Sequence, residues 1–357
     1  MRKKIASVLL TAALAATMAL GCGGSSGGAS SSAAKSSAAG SSAAASSAAA
    51  SSAAAGSSAA ASGKTLKVGI INNDPSESGY RTANDKDLKA TFTKENGYEA
   101  TFAYGKTNDD QITAAKKMIT DGIDYLLLSA ADTKGWDATL QEAQKAGTRV
   151  ILYDRMVEAD EKLYEAAIVS DMAKEGETAV NWLKDQKFDK YNIIHIQGQM
   201  GTDAQIGRSG ALDKQVKADS ANWKIVKQQT ANWNAEEAEK IVASVISAGT
   251  EFNVIYAEND DMAKGAENAL KKANIEYGVG KKVAIMGFDC NKFALQNLVD
   301  QKWNYDGQCN PFQSSYIVDV INKLEKGETI STKKIVMDEK GFDAKTITKE
   351  DVEKYGI

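Results

Sequence analysis

The sequence predicts an α/β fold made of two lobes, each a doubly wound parallel sheet with helices on both faces. The first observation is that short apolar runs alternate with longer segments of helical periodicity, which is typical of βαβ units. The second is that about ten such runs are too many for one comfortable sheet of this type. The runs therefore indicate two similar lobes, which divide near Asp171.

The predicted strands are the apolar runs, and the predicted helices lie between them. The strands are residues 66–71, 99–104, 125–130, 149–154, 166–171, 192–197, 223–228, 253–258, 283–289 and 303–308. Helical periodicity marks residues 108–121, 135–146, 171–186, 234–249 and 260–274. Because ligands of open α/β sheets bind beyond the carboxyl ends of the strands, the polar residues at those ends form the candidate site.

The first 22 residues predict an export signal rather than a membrane-spanning helix. Basic residues precede an apolar stretch from Ile5 to Leu20, which is short for a bilayer span of about 20 residues. The segment ends Ala19-Leu20-Gly21-Cys22, which resembles the lipobox of bacterial lipoproteins, where the signal is cut before a cysteine that receives lipid. We therefore expect residues 1–22 to be a lipoprotein signal peptide with lipidation at Cys22. An ordinary secretory signal with an incidental cysteine is the alternative.

Composition sets three further expectations. Residues 23–62 are almost only Ser, Ala and Gly, so they predict a flexible linker with an end-to-end distance of roughly 35 Å. The formal net charge of −4 offers no basic face for nucleic acid. Cys290 and Cys309 are the other two cysteines, and a disulfide between them is permitted in an exported protein.

Histidine is scarce, and the sequence contains no recognisable catalytic or metal-binding motif. His195 is the one histidine and lies in an apolar run, so a His-rich metal site is excluded. Calcium-loop and phosphate-loop patterns are absent, and we expect neither a metal nor a cofactor. Asp154, Asp260 and Asp289 could pair as in glycosidases, but no nucleophile, base and orienting group stand together. We therefore expect no catalytic residues.

Several strand ends carry side chains suited to a ligand rich in hydroxyl groups. Asp154 and Arg155 follow a buried strand and offer an acceptor and a donor fork, with a salt bridge to a neighbouring loop as the alternative. Tyr80 and Trp233 stand at strand-to-helix connections, where an aromatic plane can lie against a sugar ring or pack in the core. Arg208, near the start of a helix, points either into the cleft or to solvent.

The run from Glu258 to Asp261 crowds three carboxylates and an amide at one strand-to-helix corner. We expect Asn259 to enter the cleft, because an amide both donates to and accepts from hydroxyl groups. We expect Asp260 to cap the following helix and Asp261 to interact with its dipole. Glu258 is expected to be exposed or paired.

Seven fragments resemble, in the same order, those of type I periplasmic sugar-binding proteins of ABC transporters, and most closely the galactofuranose-binding branch. The fragments cover residues 66–320 and read SESGYR, TKGWDATLQEAQKAGTRVILYDR, VSDMAKEGETAVNWL, IQGQMGTDAQIGRSGA, YAENDDMAKGAENAL, GFDCNKFALQNL and CNP. The resemblance implies two lobes joined by a three-strand hinge. The N-terminal lobe would comprise residues 64–170 plus 310–338, and the C-terminal lobe 171–309 plus 339–357.

The resemblance also implies which residues touch the sugar. Tyr80, where that branch often has Trp, would stack on the ring, and the hinge would contribute a contact from the segment Gln308 to Asn310. A Cys290–Cys309 pair would clamp two strand ends beside Asp289. The implied ligand-binding residues are Glu77, Tyr80, Arg81, Asp154, Arg155, Arg208, Trp233, Asn259, Asp289 and Asn310.

The function implied by the resemblance is transport. The chain would be an extracytoplasmic monomer, anchored by lipid to the outer face of the cell membrane, that captures a monosaccharide and delivers it to an ABC permease. The sugar would be a furanose or a pyranose, with galactofuranose-like sugars included. A sugar-sensing component for a sensor kinase or chemoreceptor is the alternative. The effector domain of a repressor is excluded, because an export signal stands where a helix-turn-helix would be.

Overall fold

A computed structural model describes residues 64–357 of the chain. The predicted signal peptide 1–22 with Cys22 and the predicted linker 23–62 lie outside the described residues. Across 64–357, every helix is too short or too polar to span a bilayer.

Strands and helices alternate along most of the described chain. The strands are β1 (Leu66–Asn72), β2 (Tyr98–Tyr104), β3 (Tyr125–Leu128), β4 (Arg149–Asp154), β5 (Ala166–Val169), β6 (Tyr191–Gln197), β7 (Trp223–Thr230), β8 (Val254–Ala257), β9 (Ala284–Phe288), β10 (Tyr305–Gly307), β11 (Lys334–Val336) and β12 (Gly341–Asp343). The helices are α1 (Gly79–Thr91), α2 (Asn108–Thr120), α3 (Asp137–Ala146), α4 (Met172–Asp185), α5 (Asp203–Ala218), α6 (Ala235–Ser247), α7 (Asp260–Lys272), α8 (Lys292–Val299), α9 (Ser314–Glu325) and α10 (Lys349–Tyr355).

The first lobe is built on a sheet with the strand order β11-β5-β4-β3-β1-β2, and all its strand pairs are parallel. The helices α1, α2, α3 and α9 pack on it. Every residue of β3 and β5 is buried, because helices cover both faces of the sheet. Two apolar clusters, one on each face, form its core.

The second lobe repeats this plan with the strand order β12-β10-β9-β8-β6-β7. Its strands are parallel except for the edge strand β12, which pairs antiparallel with β10. The helices α4 to α8 and α10 surround it. The ten predicted strands all appear, and β11 and β12 are additional.

Within residues 64–357 the chain passes between the lobes three times. The first crossing leads from β5 to α4, the second from β10 to α9, and the third from β11 to β12. The predicted two-lobe α/β fold with a three-strand hinge is therefore confirmed.

Capped helices bring the polar residues of each lobe to one edge. The side chains of Ser78, Thr202 and Asn259 accept hydrogen bonds from backbone N–H groups in the first turns of α1, α5 and α7. These helices begin where parallel strands end, so their first turns lie at the carboxyl edge of each sheet. That edge contains the candidate site.

Candidate functional site

A cavity with an empty volume of about 300 Å³ lies between the lobes. Nine of the ten residues predicted to bind the ligand are among those that line it. The exception is Asn310, whose backbone N–H donates to Glu339 (2.7 Å) and whose side-chain oxygen accepts from the N–H of Phe312 (3.0 Å). The lining residues are Glu77, Ser78, Tyr80, Arg81, Asp154, Arg155, Met172, Ala204, Arg208, Trp233, Asn259, Asp289 and Cys309.

Asp154 is the centre of the first-lobe side of the cavity. It ends β4 with a φ of 65°, in the left-handed region that Asp tolerates better than most residues. Its Oδ1 accepts from Tyr80 Oη (2.8 Å), and its Oδ2 accepts from Arg81 and from Ser129 Oγ (2.6 Å). Burial acts to raise the pKa of this carboxyl, but Arg81 and Arg155 outweigh burial and hold the pKa below its usual value. Asp154 is therefore an ionised acceptor that fixes Tyr80 and Arg81.

Arg155 faces the second lobe. Its Nη1 donates to the carbonyl oxygen of Ala130 (3.2 Å), and its guanidinium carbon lies 6.0 Å from the ring centroid of Trp233. Its Nε is buried and makes no hydrogen bond within residues 64–357, although it lies at ion-pair distance, 3.6 Å, from Asp154 Oδ2. A buried guanidinium donor without a hydrogen bond costs free energy unless a ligand accepts from it.

Arg208 is the centre of the second-lobe side, and it points into the cleft rather than to solvent. Its Nε donates to Glu175 Oε2 (2.7 Å), Nη1 donates to the carbonyl oxygen of Glu258, and Nη2 lies 3.3 Å from Asp289 Oδ1. The guanidinium carbon also lies 4.7 Å from the ring centroid of Phe288. These contacts use all three nitrogens of the fork, so the orientation of Arg208 is fixed before any ligand arrives.

Asp289 differs from Asp154 in its electrostatics. Burial raises the pKa of the Asp289 carboxyl well above its usual value, and Arg208 offsets this only in part. Asp289 also has a φ of 110°, a strained conformation of the kind that persists where the surroundings enforce it, often at a binding site. The two lobes thus present one ionised carboxylate and one carboxyl that holds its proton more readily.

Trp233 lies against the backbone of Gly198. A side chain added at Gly198 would overlap the indole ring, so only glycine permits this packing. Glu258 holds the same loop, because its Oε2 accepts from the N–H of Gly198 (2.8 Å). Trp233 Nε1 is buried without a hydrogen-bond partner in the described part of the chain. Trp233 and Tyr80 are both buried and both line the cavity.

The corner at residues 258–261 differs from the prediction in the residue that caps α7. Asn259, not Asp260, caps α7: its Oδ1 accepts from the N–H of Met262 (2.9 Å), while the residue also lines the cavity. Asp260 is fully buried and accepts from the N–H of Asn291 (2.7 Å). Glu258 is also buried, with Oε1 2.8 Å from His195 Nε2, so it is paired rather than exposed.

Asp260 and Asp306 form a buried carboxyl pair behind the cavity. Burial raises the pKa of Asp306 to about 7. Burial and the neighbouring Asp306 raise the pKa of Asp260 well above its usual value. Because two carboxylates in one apolar site repel each other, the pair retains a proton near neutral pH.

The predicted disulfide is absent within residues 64–357: Cys290 and Cys309 are both free and buried. The two thiols lie in different surroundings. Cys290 lies beside Asp306, which accepts from its backbone N–H (3.3 Å). Cys309 lines the cavity, and its Sγ lies 3.5 Å from Ser170 Oγ. Each thiol thus has polar neighbours of its own.

Backbone contacts join the lobes around the cavity. The N–H of Gly79 donates to Asp261 Oδ2 (3.1 Å), and the N–H of Met156 donates to Asp203 Oδ2 (2.9 Å). These contacts surround a cavity whose lining residues are mostly buried, so the structure represents a closed arrangement of the lobes.

Sequence reasoning missed several residues that shape the site. Ser78, Met172 and Ala204 line the cavity but were not among the predicted ligand contacts, although they lie within the quoted fragments. Glu175 lies in the first turn of α4, where a carboxylate usually faces solvent, yet it is buried against Arg208. Of these residues, Ser78 alone carried a usable signal, as a Ser three residues before the helical Arg81.

The arrangement suits binding better than covalent chemistry. Its carboxylates and guanidiniums are engaged with one another, and His195 is a buried partner of Glu258 rather than a residue of the cavity. Fixed donors and acceptors on both sides of a small enclosed space are what a neutral polar ligand requires.

Comparisons with known proteins agree with the geometry. A fructose import binding protein from Bifidobacterium longum is 32% identical, over 79% of this chain and 86% of its own. A galactofuranose-binding protein from Escherichia coli is 27% identical, over 72% of this chain and 82% of its own. The binding protein of the arabinose ABC transporter from Shewanella sp. ANA-3, solved with α- and β-L-arabinofuranose, has a TM-score of 0.72. It is 28% identical, over 78% of this chain and 92% of its own.

The family model of the periplasmic binding protein domain matches residues 68–329, which include both sheets except their short edge strands β11 and β12. Its members are sugar-binding transport proteins rather than enzymes. The match over residues 68–329 shows that this chain belongs to the periplasmic binding protein family, among the sugar-binding proteins of ABC transporters.

Proposed function

We propose that this chain captures one monosaccharide in the cavity between its lobes and delivers it to an ABC importer. The observation that carries the proposal is the pair of buried donors, Arg155 Nε and Trp233 Nε1, that make no hydrogen bond within residues 64–357 and belong to lining residues on opposite lobes. Hydroxyl groups of a bound sugar would accept from both, which removes the cost of leaving them unpaired.

The charges of the cavity favour a neutral ligand. Its three guanidiniums are matched by three carboxyl groups, and most of them already form ion pairs with one another. An acidic sugar or a sugar phosphate would add negative charge without a free cation to receive it. The six groups are Arg81, Arg155, Arg208, Glu77, Asp154 and Asp289.

The size of the cavity and the relatives favour a single ring, and we propose a furanose. The cavity is a small space lined mostly by buried side chains of both lobes, which suits one sugar unit better than two. The relatives described above are named for fructose and galactofuranose, and the structure from Shewanella contains arabinofuranose. Tyr80 and Trp233 would lie against the apolar face of the ring.

Delivery would depend on closure of the lobes. We propose that residues 64–170 with 310–338 move as one lobe and residues 171–309 with 339–357 as the other, about the three crossings. A sugar that touches both lobes binds the closed state better than the open one, and so shifts the population toward the closed state. The permease would recognise that state. No observation favours a sensor component over transport.

The N-terminal segment supports an anchored protein. We propose that the signal peptide 1–22 is removed, that Cys22 carries lipid at the outer face of the cell membrane, and that residues 23–62 connect it to a monomeric binding unit. The family supports the extracytoplasmic location. Retention of a Cys22→Ser protein in the membrane fraction would contradict the lipid anchor.

A thermal-shift screen over monosaccharides tests the proposed function directly. We expect one furanose-forming sugar to raise the melting temperature, because a ligand of the native state stabilises it by RT ln(1 + [L]/Kd). Asp289→Asn should remove most of that shift, since Asn tolerates the positive φ but replaces one oxygen of the carboxyl group that faces Arg208 and the cavity with an NH₂ donor. The exposed Asp300→Asn protein is the matched control and should keep the shift. Equal shifts in the two variants, or no shift with any sugar, would contradict the proposal.

A further inference from the structure

Three side chains that lie in or beside the three crossings meet behind the sugar cavity. One carboxylate oxygen of Glu175, one of Glu339 and the Sγ of Cys309 all lie within 4.8 Å of one another. Glu175 lies in the first turn of α4, just past the first crossing, whereas Cys309 and Glu339 lie within the second and third crossings. This set, the hinge cluster, thus connects parts of the chain that are far apart in sequence.

One oxygen of the hinge cluster lacks a partner. Glu175 is 6% exposed, and its Oε2 accepts from Arg208, whereas its Oε1 is buried and has no hydrogen-bond partner among the described residues. A buried carboxylate oxygen without a donor is costly, and such a group in a native structure calls for an unseen ion or water. The free oxygen of Glu175 is therefore open to a water molecule or a cation, and the neighbouring Cys309 thiol and Glu339 carboxyl favour a cation.

The other two members of the cluster are held in position by protein contacts. Oε1 of Glu339 accepts from Ser170 Oγ (2.7 Å) and from the N–H of Asn310 (2.7 Å), which leaves its second oxygen available. Ser170 Oγ also lies 3.5 Å from Cys309 Sγ. Because metal ligands function best when neighbouring hydrogen bonds orient them, these contacts are the support that a metal site requires.

We propose that Glu175, Cys309 and Glu339 bind a divalent cation of intermediate softness, of which Zn²⁺ is the typical example. Zn²⁺ binds both thiolate sulfur and carboxylate oxygen, whereas Ca²⁺ and Mg²⁺ prefer oxygen alone. The thiol proton is released to solvent when the thiolate binds the metal. Distances of up to 4.8 Å between the ligand atoms require only small side-chain movements to reach tetrahedral geometry.

A second pocket supplies access and a fourth ligand position. It has an empty volume of about 700 Å³, and both Glu175 and Glu339 line it. A cation could enter from this pocket and keep a water molecule on that side. The cluster also adjoins the sugar cavity, because Cys309 lines that cavity and Glu175 binds Arg208.

Metal binding here would stabilise the second lobe. Glu175, Cys309 and Glu339 all lie within residues 171–309 and 339–357, so the ion would join the late segment at Glu339 to the body of that lobe rather than bridge the two lobes. We therefore expect the cation to raise the melting temperature of the chain, because a ligand of the native state stabilises it.

Titration of the purified, metal-free full chain with Co²⁺ tests the site without any sugar. Co²⁺ substitutes for Zn²⁺, and a bound thiolate gives a sulfur-to-metal charge-transfer absorption. We expect one equivalent of this signal, its loss in Cys309→Ser, and at least tenfold weaker binding in Glu339→Gln. Cys290→Ser is the matched control, because Cys290 is equally buried but lies outside the cluster, and it should keep the full signal. Zn²⁺ should displace the Co²⁺, and Mg²⁺ should not.

Two results would overturn the proposal. The first is the absence of the charge-transfer signal in the parent chain, with near-ultraviolet circular dichroism confirming that the protein is folded. The second is a signal that survives in Cys309→Ser or disappears in Cys290→Ser, since either places the metal elsewhere. Glu339→Gln retains the shape of the side chain, so it remains informative if the Cys309 variant fails to fold.

Discussion

The backbone N–H of Gly79 in the first lobe donates a hydrogen bond across the cleft to Asp261 Oδ2 in the second, over 3.1 Å. Neither residue was predicted from the sequence to form a contact between the lobes. The contact is close, because a side chain at Gly79 would overlap Asn291, which also belongs to the second lobe. The closed state thus depends on a glycine in one lobe and a carboxylate in the other, and both lie outside the cavity lining.

Asp261→Ala should weaken sugar binding although Asp261 does not line the cavity. Loss of a hydrogen bond to a charged group destabilises the closed state by about 1.5 kcal/mol. Because the sugar binds the closed state, its Kd should rise roughly tenfold. Isothermal titration calorimetry with the sugar found in the screen measures the change. Asp261→Asn keeps an acceptor oxygen, so its Kd for the sugar should rise much less. A parent-like Kd for Asp261→Ala would show that the contact does not contribute to closure.

Gly198→Ala should reduce sugar binding and stability together. The added methyl group overlaps the indole of Trp233, and overpacking of this kind costs about 1–3 kcal/mol while moving the ring from its place in the cavity. Melting temperature and sugar affinity should both be measured. Gly210→Ala is the matched control, since a methyl group there meets nothing within 4 Å and α5 should become slightly more stable.

Arg208→Lys should abolish measurable binding although the positive charge remains. Lysine cannot reach Glu175, the Glu258 carbonyl and Asp289 at once, so buried acceptors lose their donor at a cost of about 3 kcal/mol. Urea denaturation and calorimetry report stability and affinity. Arg149→Lys, at a partly exposed pair with Glu325, should change stability by less than about 1 kcal/mol. Equal effects of the two substitutions would argue against a fixed role for Arg208.

Asp306→Asn should remove part of the pH dependence of stability. The folded-state pKa of Asp306, about 7, exceeds its usual value of 3.8, so the folded state binds more protons between these values than the unfolded state. The free energy of unfolding therefore falls as pH rises through this window, and is lowest above about pH 7. Urea denaturation at pH 5 and pH 8 should show a smaller decline for Asp306→Asn than for the parent. The exposed Asp300→Asn protein should keep the parent slope.

Cys290 and Cys309 should be found as thiols in protein prepared without reductant. After unfolding in guanidinium chloride with an alkylating reagent, mass spectrometry should find a label on each of the two peptides, and reductant should not change the melting temperature. Both residues are free and buried, so oxidation is slow in the folded state. Labels that appear only after reduction would restore the disulfide predicted from the sequence.

The sequence was sufficient for the architecture, because the signal was strong and repeated. All ten predicted strands appear with limits within two residues, since buried parallel strands are uninterrupted apolar runs. The strands β11 and β12 were missed because they have three residues each and lie at sheet edges, where Lys334 and Val336 are exposed. Strands so short carry no periodicity that could be detected.

The site was predictable where side chains face the ligand space and less so where they support one another. The strand-end rule identified Asp154 and Asp289, but nothing local distinguishes Glu175 from a solvent-exposed helix residue. The Asp260 assignment failed because Asp and Asn compete for the same cap, and the burial that decides between them is a property of the tertiary structure. The disulfide failed for a similar reason, because pairing depends on where each thiol points.

The edge strand β11 makes the first lobe depend on the end of the chain. The open edge of β5 is covered only when Lys334–Val336 pairs with it, and α9 from the same late segment packs on that sheet. Until synthesis reaches this segment, β5 exposes unpaired backbone groups that can join other chains. The first lobe therefore cannot finish folding before most of the second lobe has been synthesised. Truncation before residue 334 should leave an aggregation-prone first lobe even though most of its core is present.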